Sequence, residues 1–129
     1  MVLWRRTCAD DQVTERMKGE IAMHQPIKPT VKFTLGDFAP AFVEYSEKVL
    51  FGDLWRREEL SLRDRSMITV SALVSTGSLN QLEYHLHLAK ENGVTKNELI
   101  EVITHLSFYI GWPKAASALE AAKHILEDE

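Results

Sequence analysis

His85 is the residue of this sequence whose surroundings most favour chemistry. On a helix that turns about 100° per residue, Ser78 and Gln81 lie within about 40° of His85. This polar stripe runs beside an apolar stripe of Leu82, Leu86 and Ala89. Because polar side chains at the edge of a core stripe line pockets between helices, the pattern predicts a pocket histidine that could exchange a proton. The alternative is a structural histidine bonded to a backbone carbonyl or a carboxylate.

A second histidine, His105, has Glu101 and Tyr109 one helical turn away on either side. A carboxylate can fix the tautomer of an imidazole and raise its basicity, so this row could orient a proton donor. By residue type alone, a buried hydrogen-bond network that joins helices is the preferred interpretation of the row.

Arginines near aromatic residues are the candidates for binding an acid. Arg56 follows Trp55, and Arg65 lies near the start of a predicted helix. A guanidinium fork matches the geometry of a carboxylate. A solvated charged face is the alternative.

Several other kinds of site are excluded by spacing. His85 and His87 would point about 200° apart on a helix, so they cannot share an ion, and we expect no metal. The serines lack a Gly-x-Ser-x-Gly context, and there is no glycine-rich phosphate loop. The single cysteine, Cys8, cannot form an intrachain disulfide or a Cys-x-x-Cys redox pair.

Helix signals recur along the chain and predict an all-α fold of about six helices arranged in antiparallel hairpins. Residues 1–34 are expected to form an N-terminal arm that packs on the domain or on a neighbouring subunit, and residues 35–129 form the helical domain. Asp37 is the expected N-cap of the domain's first helix. The later helices are expected to start near Ser61, Leu79, Thr95 and Pro113. In the helix that starts near Asp37, one face is expected to be core: Phe38, Phe42, Tyr45, Val49 and Leu50.

Composition limits the possible partners. The formal charge is −4, with 15 basic and 19 acidic residues among 129. A mildly acidic chain has no overall positive charge that would attract nucleic acid, so no nucleic acid is expected as a partner.

There is no apolar run of about 18 residues to span a bilayer and no secretory signal, so we expect a cytoplasmic protein that does not bind membranes.

Several blocks of the sequence, in order, resemble the carboxymuconolactone decarboxylase family, whose fold is shared with the AhpD-type alkylhydroperoxidases. The resemblance runs from about Asp37 to His124. The blocks are Phe51–Arg56, Leu60–Thr69, Gln81–Leu86, Ala89–Thr95, Glu98–Leu106 and Tyr109–Ala115. The resemblance implies an AhpD-like helical subunit that assembles with itself into a homotrimer or a homohexamer.

The resemblance also separates two activities. The peroxidase branch carries a Cys-x-x-Cys pair, and this sequence has Ser78 and Gln81 at those positions and Ser66 in place of an upstream glutamate. Neither serine nor glutamine can replace a thiolate that attacks a peroxide. An AhpD-type peroxidase is therefore disfavoured.

The decarboxylase branch keeps the histidine without the cysteines and implies loss of CO2 from a small lactone or keto acid. No cofactor is expected, because such a substrate carries its own electron sink. His85 would then be the proton donor or oxyanion partner, with His105 as a second catalytic residue. The remaining candidates would bind substrate: Arg56, Arg65, Gln81, Tyr109 and Trp112. A non-catalytic helical module that binds a small ligand is the remaining alternative.

Overall fold

The structure, a computed structural model, describes residues 35–127. The predicted N-terminal arm, residues 1–34, lies outside the described residues. The described part contains helices and no strand, which confirms the predicted all-α class. Its helices are α1 (Pro40–Tyr45), α2 (Leu62–Thr76), α3 (Leu79–Glu91), α4 (Lys96–Ile110) and α5 (Trp112–Glu127). A π-helical turn (Ser46–Leu50) and a 3₁₀ turn (Leu54–Arg56) connect α1 to α2.

Helix α2 contains a run of mostly apolar and small residues, 67–74. Ser61 caps its first turn, since the Ser61 hydroxyl accepts a hydrogen bond from the Asp64 amide at 3.0 Å. The helix ends at Gly77, whose φ of 70° lies in the left-handed region that favours glycine. The Ser78 amide then bonds back to the Leu73 carbonyl at 2.9 Å. These two local signals fix the start and the end of α2, which buries Val70 and Val74 in the core.

Helix α4 starts, as predicted, near Thr95, where a capping box forms. The Glu98 amide donates to the Thr95 hydroxyl at 3.1 Å, and the Thr95 amide donates to the Glu98 carboxylate at 2.9 Å. The same carboxylate accepts a hydrogen bond from Arg63 of α2. The start of α4 is thereby joined to the first turn of α2.

The core lies between the four longer helices. Helix α2 packs against α3, α4 and α5, while α5 also contacts α3 and α4. Alanines on α5 have small side chains, which lets neighbouring helices approach closely. The buried cluster consists of Val70, Val74, Leu82, Leu86, Ala89, Val94, Leu99, Ile103, Ala115, Ala118, Ala122 and Leu126. Each leucine in it stabilises the fold by about 1.5–3 kcal/mol.

The prediction for α1 was wrong in two respects. The helix begins at Pro40, preceded by Ala39, and no side chain caps it, so Asp37 is not its N-cap. Its expected core face is exposed, because α1 buries Val43 and the following π-helical turn buries Ser46, leaving the larger side chains outside. The exposed fractions are 87% for Phe38, 57% for Phe42, 69% for Tyr45, 51% for Val49 and 39% for Leu50. Within residues 35–127, these side chains have no core to enter.

Candidate functional site

The imidazole of His85 lies among aromatic rings on one side of α3. His85 is partly buried and precedes the fully buried Leu86. Its ring stacks on the indole of Trp55, with 6.0 Å between centroids and 24° between planes. The ring of Tyr84 meets it edge to face, at 4.9 Å and 86°. His85 is therefore held between its own helix and the 3₁₀ turn that carries Trp55.

Close backbone packing positions that turn. Gly52 lies where a Cβ atom would be 2.5 Å from the Glu47 carbonyl oxygen, so the chain needs a glycine there. The side chain of Arg56 then donates through Nε to the Phe51 carbonyl at 3.1 Å. Phe51 stacks on Trp55, with centroids 5.9 Å apart and planes at 30°. As a result, Trp55 is buried, with 8% of its surface exposed.

Burial sets the protonation state of His85. Loss of hydration lowers its pKa from 6.5 to about 4, because charging a ring with little water around it is unfavourable. The imidazole is therefore neutral at pH 7. Its Nδ1 atom is buried and has no hydrogen-bond partner in the described part of the chain. The structural alternative required a carbonyl or carboxylate partner, and residues 35–127 supply none at Nδ1.

Tyr84 is a member of this cluster that the sequence reasoning missed. Its hydroxyl is buried and lacks a hydrogen-bond partner among residues 35–127. Burial, with a smaller effect from the negative charge of Glu91, raises the pKa of Tyr84 to about 12. The hydroxyl therefore keeps its proton and can donate it in a hydrogen bond. Its position next to His85 in the chain was the available signal, but adjacent helical residues are not normally on one face.

The two predicted acid-binding arginines lie at different depths. Arg56 is exposed, and its Nε atom is engaged with the Phe51 carbonyl. Arg65 is partly buried and donates through Nη2 to the Arg57 carbonyl at 3.3 Å. The Nε atom of Arg65 is buried, and the described residues offer it no partner. Arg65 thus has one buried donor that is not paired within residues 35–127.

The other predicted site residues lie on the surface of the described chain. Gln81 is exposed on α3, in the turn before His85. His105 is exposed on α4 and stacks on Tyr109, with centroids 5.0 Å apart and planes at 28°. Trp112, at the start of α5, is 74% exposed. Since α4 packs mainly on α2 and α5, this aromatic pair is not part of the His85 cluster within one chain.

Three further features of residues 35–127 concern ligands and membranes. A surface cavity of about 230 Å³ is lined by Ala41, Glu44, Tyr45, Lys48 and Val49, and none of these is a predicted site residue. No group of three or more His, Cys, Asp or Glu side chains in this range is arranged to hold a metal ion. None of the helices in this range is long and apolar enough to cross a membrane.

Comparison with known proteins identifies the family. The sequence profile of the carboxymuconolactone decarboxylase family matches residues 40–124, which include every residue of the His85 cluster. The chain belongs to the carboxymuconolactone decarboxylase family. The predicted resemblance is thereby confirmed.

Individual relatives agree with this assignment. The chain is 35% identical over 94 residues to a 4-carboxymuconolactone decarboxylase of Acinetobacter baylyi, an alignment that covers 73% of this chain and 70% of the relative. It is 28% identical over 78 residues to nitrosuccinic acid decarboxylase npaB of Metarhizium robertsii, covering 60% and 54% of the two chains. An uncharacterized 15.0 kDa protein of Paracoccus denitrificans is 33% identical over 81 residues, covering 61% and 60%. Two of these three relatives are named as decarboxylases, which supports the prediction that this chain is a carboxy-lyase.

Proposed function

We propose that this protein is a decarboxylase that acts without a cofactor on a small carboxylic acid, either a lactone acid or a keto acid. The names of two relatives support decarboxylation. Both names also refer to small acids, although the chain spans only 54% of the second relative. The observation that carries the proposal for the site is the neutral, partly buried imidazole of His85, whose buried Nδ1 atom has no hydrogen-bond partner among residues 35–127.

Decarboxylation requires a group that accepts the electron pair of the broken bond. When the bond between the substrate and its carboxylate breaks, CO2 leaves and the bonding pair moves into the conjugated carbonyl, which becomes an enolate oxyanion. A proton then adds to carbon and completes the product. A hydrogen-bond donor near that oxygen stabilises the developing charge, and the effect is larger where water is excluded. The substrate itself supplies the electron sink, so the scheme requires no cofactor.

His85 suits the role of oxyanion partner. A neutral imidazole has one N–H group that can donate to the carbonyl oxygen. The protonated imidazole is scarce at neutral pH because the pKa of His85 is about 4. A bound anion next to the ring would raise that pKa and make proton delivery to carbon easier. We therefore assign hydrogen bonding to the oxyanion as the first role of His85, and proton delivery as a role that depends on bound substrate.

Arg65 is the candidate anchor for the carboxylate. Its buried Nε atom has no partner within the described range, and a charged hydrogen bond to a carboxylate would provide one. Arg56, exposed and bound to the Phe51 carbonyl, lies next to Trp55 on the 3₁₀ turn and can add positive charge. Gln81, exposed one turn from His85, is proposed as a further hydrogen-bonding group.

His105, Tyr109 and Trp112 require a different explanation, because they lie outside the His85 cluster of their own chain. We propose that they contribute through self-association into a homotrimer or a homohexamer, in which one subunit's aromatic surface completes the site of another. The support is their exposure: 76% for Tyr109, 74% for Trp112 and 86% for the neighbouring Phe108. Large aromatic side chains exposed together on a surface are typical of an interaction site.

The central experiment replaces His85 with glutamine and measures CO2 release from a panel of lactone and keto acids. His85→Gln is expected to lower kcat by about 100-fold on any acid that the wild-type protein decarboxylates. His124→Gln, at an exposed histidine on α5, is the matched control and is expected to leave kcat unchanged. An unchanged kcat in His85→Gln would remove this residue from the mechanism.

A non-catalytic ligand-binding module is the second candidate. It is favoured by the separation of His105 from His85 within the described chain, since one subunit does not gather all the predicted catalytic groups. Calorimetric binding of an acid, with no CO2 released over the whole panel, would support this alternative.

A further inference from the structure

Three rings follow one another in a stack that ends at His85. The first pair, Phe51 and Trp55, has centroids 5.9 Å apart and planes at 30°. The second pair, Trp55 and His85, has centroids 6.0 Å apart and planes at 24°. Both separations lie in the range of offset aromatic stacking.

The segment that carries the first two rings, residues 51–57, is fixed at both ends. At its start, the Phe51 carbonyl accepts the hydrogen bond from Arg56, and the Phe51 amide donates to the Ser46 carbonyl at 2.9 Å. At its end, the Arg57 carbonyl accepts the hydrogen bond from Arg65 of α2. The close approach at Gly52 prevents the segment from moving toward the π-helical turn without a clash. A segment held in this way can present Trp55 in one orientation.

We propose that Trp55 is a positioning residue for His85, and that the fixed segment 51–57 holds its indole against the imidazole. The side chain of a histidine turns about two bonds, and the second of these torsions is broad. A flat surface on one side of the imidazole restricts that torsion, which fixes the direction in which the ring N–H points. Since the oxyanion must lie in the plane of the imidazole to accept a good hydrogen bond, the orientation of that plane matters for the rate.

The surroundings of His85 agree with this role. Trp55 removes water from one face of the imidazole. On α3, the ring of Tyr84 contacts the ring of His85, and the Tyr84 hydroxyl stays protonated and uncharged. On segment 51–57, which packs against His85, the charged residue next to Trp55 is Arg56, and its exposed side chain donates to the Phe51 carbonyl. Trp55 contributes no ionisable group, so its influence on His85 acts through orientation and hydration.

The test compares Trp55→Leu, Trp55→Phe and Leu54→Ala. Leu54 is a neighbouring residue on the same 3₁₀ turn and is 41% exposed, which makes it a matched control. The first readout is NMR titration of the His85 ring in the unliganded protein. Trp55→Leu is expected to raise the pKa of His85 toward its ordinary value of 6.5, with a smaller rise for Trp55→Phe and none for Leu54→Ala. An unchanged pKa of His85 in Trp55→Leu would overturn the proposal.

The second readout is kinetic and depends on the proposed decarboxylation by His85. Trp55→Leu is expected to lower kcat by about tenfold or more with little change in KM, and Trp55→Phe is expected to recover part of the rate. A rise in KM alone would mean that Trp55 contacts the substrate and does not orient His85, which contradicts the proposal. If no acid is decarboxylated by the wild-type protein, the NMR titration still decides whether Trp55 controls His85.

A second variant covers the case in which Trp55→Leu does not fold. Gly52→Ala keeps every ring of the stack, but its new Cβ would lie 2.5 Å from the Glu47 carbonyl, so segment 51–57 must shift. We expect the same rise in the pKa of His85 and the same loss of kcat. A folded Gly52→Ala protein with wild-type values for both would contradict positioning by this segment.

Discussion

Tyr84 and His85 are neighbours in the chain, and their rings meet nearly at right angles, with centroids 4.9 Å apart. Each carries a buried polar atom that has no hydrogen-bond partner among residues 35–127: the Tyr84 hydroxyl and Nδ1 of His85. A buried polar group without a partner costs free energy, so two adjacent ones are unusual in a site that serves only the fold. A ligand with oxygen atoms could satisfy both.

Tyr84→Phe tests whether the hydroxyl serves the ligand or the fold. Removing an unpartnered buried hydroxyl is expected to leave the free energy of unfolding unchanged or to raise it by about 1 kcal/mol. If the hydroxyl donates to the substrate, kcat/KM is expected to fall by about tenfold. Urea unfolding and steady-state kinetics measure the two effects. A loss of stability with unchanged kinetics would show that the hydroxyl has a structural partner.

The pH dependence of stability tests the buried state of His85. Its pKa is about 4 in the folded chain against 6.5 for an ordinary histidine, so between these values the unfolded chain binds a proton that the folded chain does not. The free energy of unfolding therefore has its full value above pH 6.5 and falls as the pH falls toward 4. His85→Gln is expected to lose less stability than the wild-type protein across this window.

Urea unfolding at several pH values in that window measures the difference, with His124→Gln as the control at an exposed histidine. Glu44, Glu59 and Glu98 also have lowered pKa values, each through hydrogen bonds, but they are present in both proteins and cancel in the comparison. Identical pH profiles for wild type and His85→Gln would contradict the burial of this ring.

Substitution of Arg65 tests its role as an anchor. Arg65→Ala is expected to raise KM for the acid more than it lowers kcat, since a carboxylate bound in both ground state and transition state contributes mainly to KM. Arg65→Lys keeps the charge but loses the planar fork, so an intermediate rise in KM is expected. Arg57→Ala is the control, because Arg57 receives the Arg65 hydrogen bond through its backbone carbonyl, which the substitution retains.

The kinetic pattern separates two roles for Arg65. Because its Nη2 atom holds the end of segment 51–57, loss of that hydrogen bond alone would disturb Trp55 and lower kcat. A fall in kcat with an unchanged KM would therefore assign Arg65 to holding the segment and would contradict carboxylate binding.

Local signals made most of the fold predictable. Ser61 and Thr95 cap the first turns of α2 and α4 through their side chains, and both helix starts were predicted correctly. The positive φ angles of Gly77 and Gly93 then let the chain turn after α2 and α3. Helix α1 could not be predicted in the same way, because its apolar residues satisfy helical spacing whether they face a core or a surface. Exposure of Phe38 depends on which elements lie beside it, and spacing carries no such information.

The site was predictable only in part for a similar reason. The position of His85 beside a core stripe follows from helical periodicity, which is a property of one element. Its contact with Trp55 joins residues 30 positions apart and depends on the π-helical turn and on the close packing at Gly52. No spacing rule connects these residues, so the stack was found only from the structure.

Self-association can be tested at the junction of α4 and α5. Phe108, Tyr109 and Trp112 are all more than two-thirds exposed, so a charged residue at Phe108 should fit easily in a single chain. Phe108→Lys is therefore expected to leave the folded subunit intact, measured by circular dichroism. If the aromatic surface is an interface, the same substitution is expected to reduce the mass measured by light scattering to that of a smaller species, because a buried unpaired charge opposes assembly.

Glu120→Lys, which changes a charge at an exposed position of α5, is the control and is expected to leave the mass unchanged. Activity adds a second criterion. If Tyr109 and Trp112 of one subunit complete the His85 site of another, the dissociated Phe108→Lys protein must lose decarboxylation together with its assembly. Full activity in a dissociated subunit would show that the site is complete within one chain, and His105 would then have no part in the chemistry.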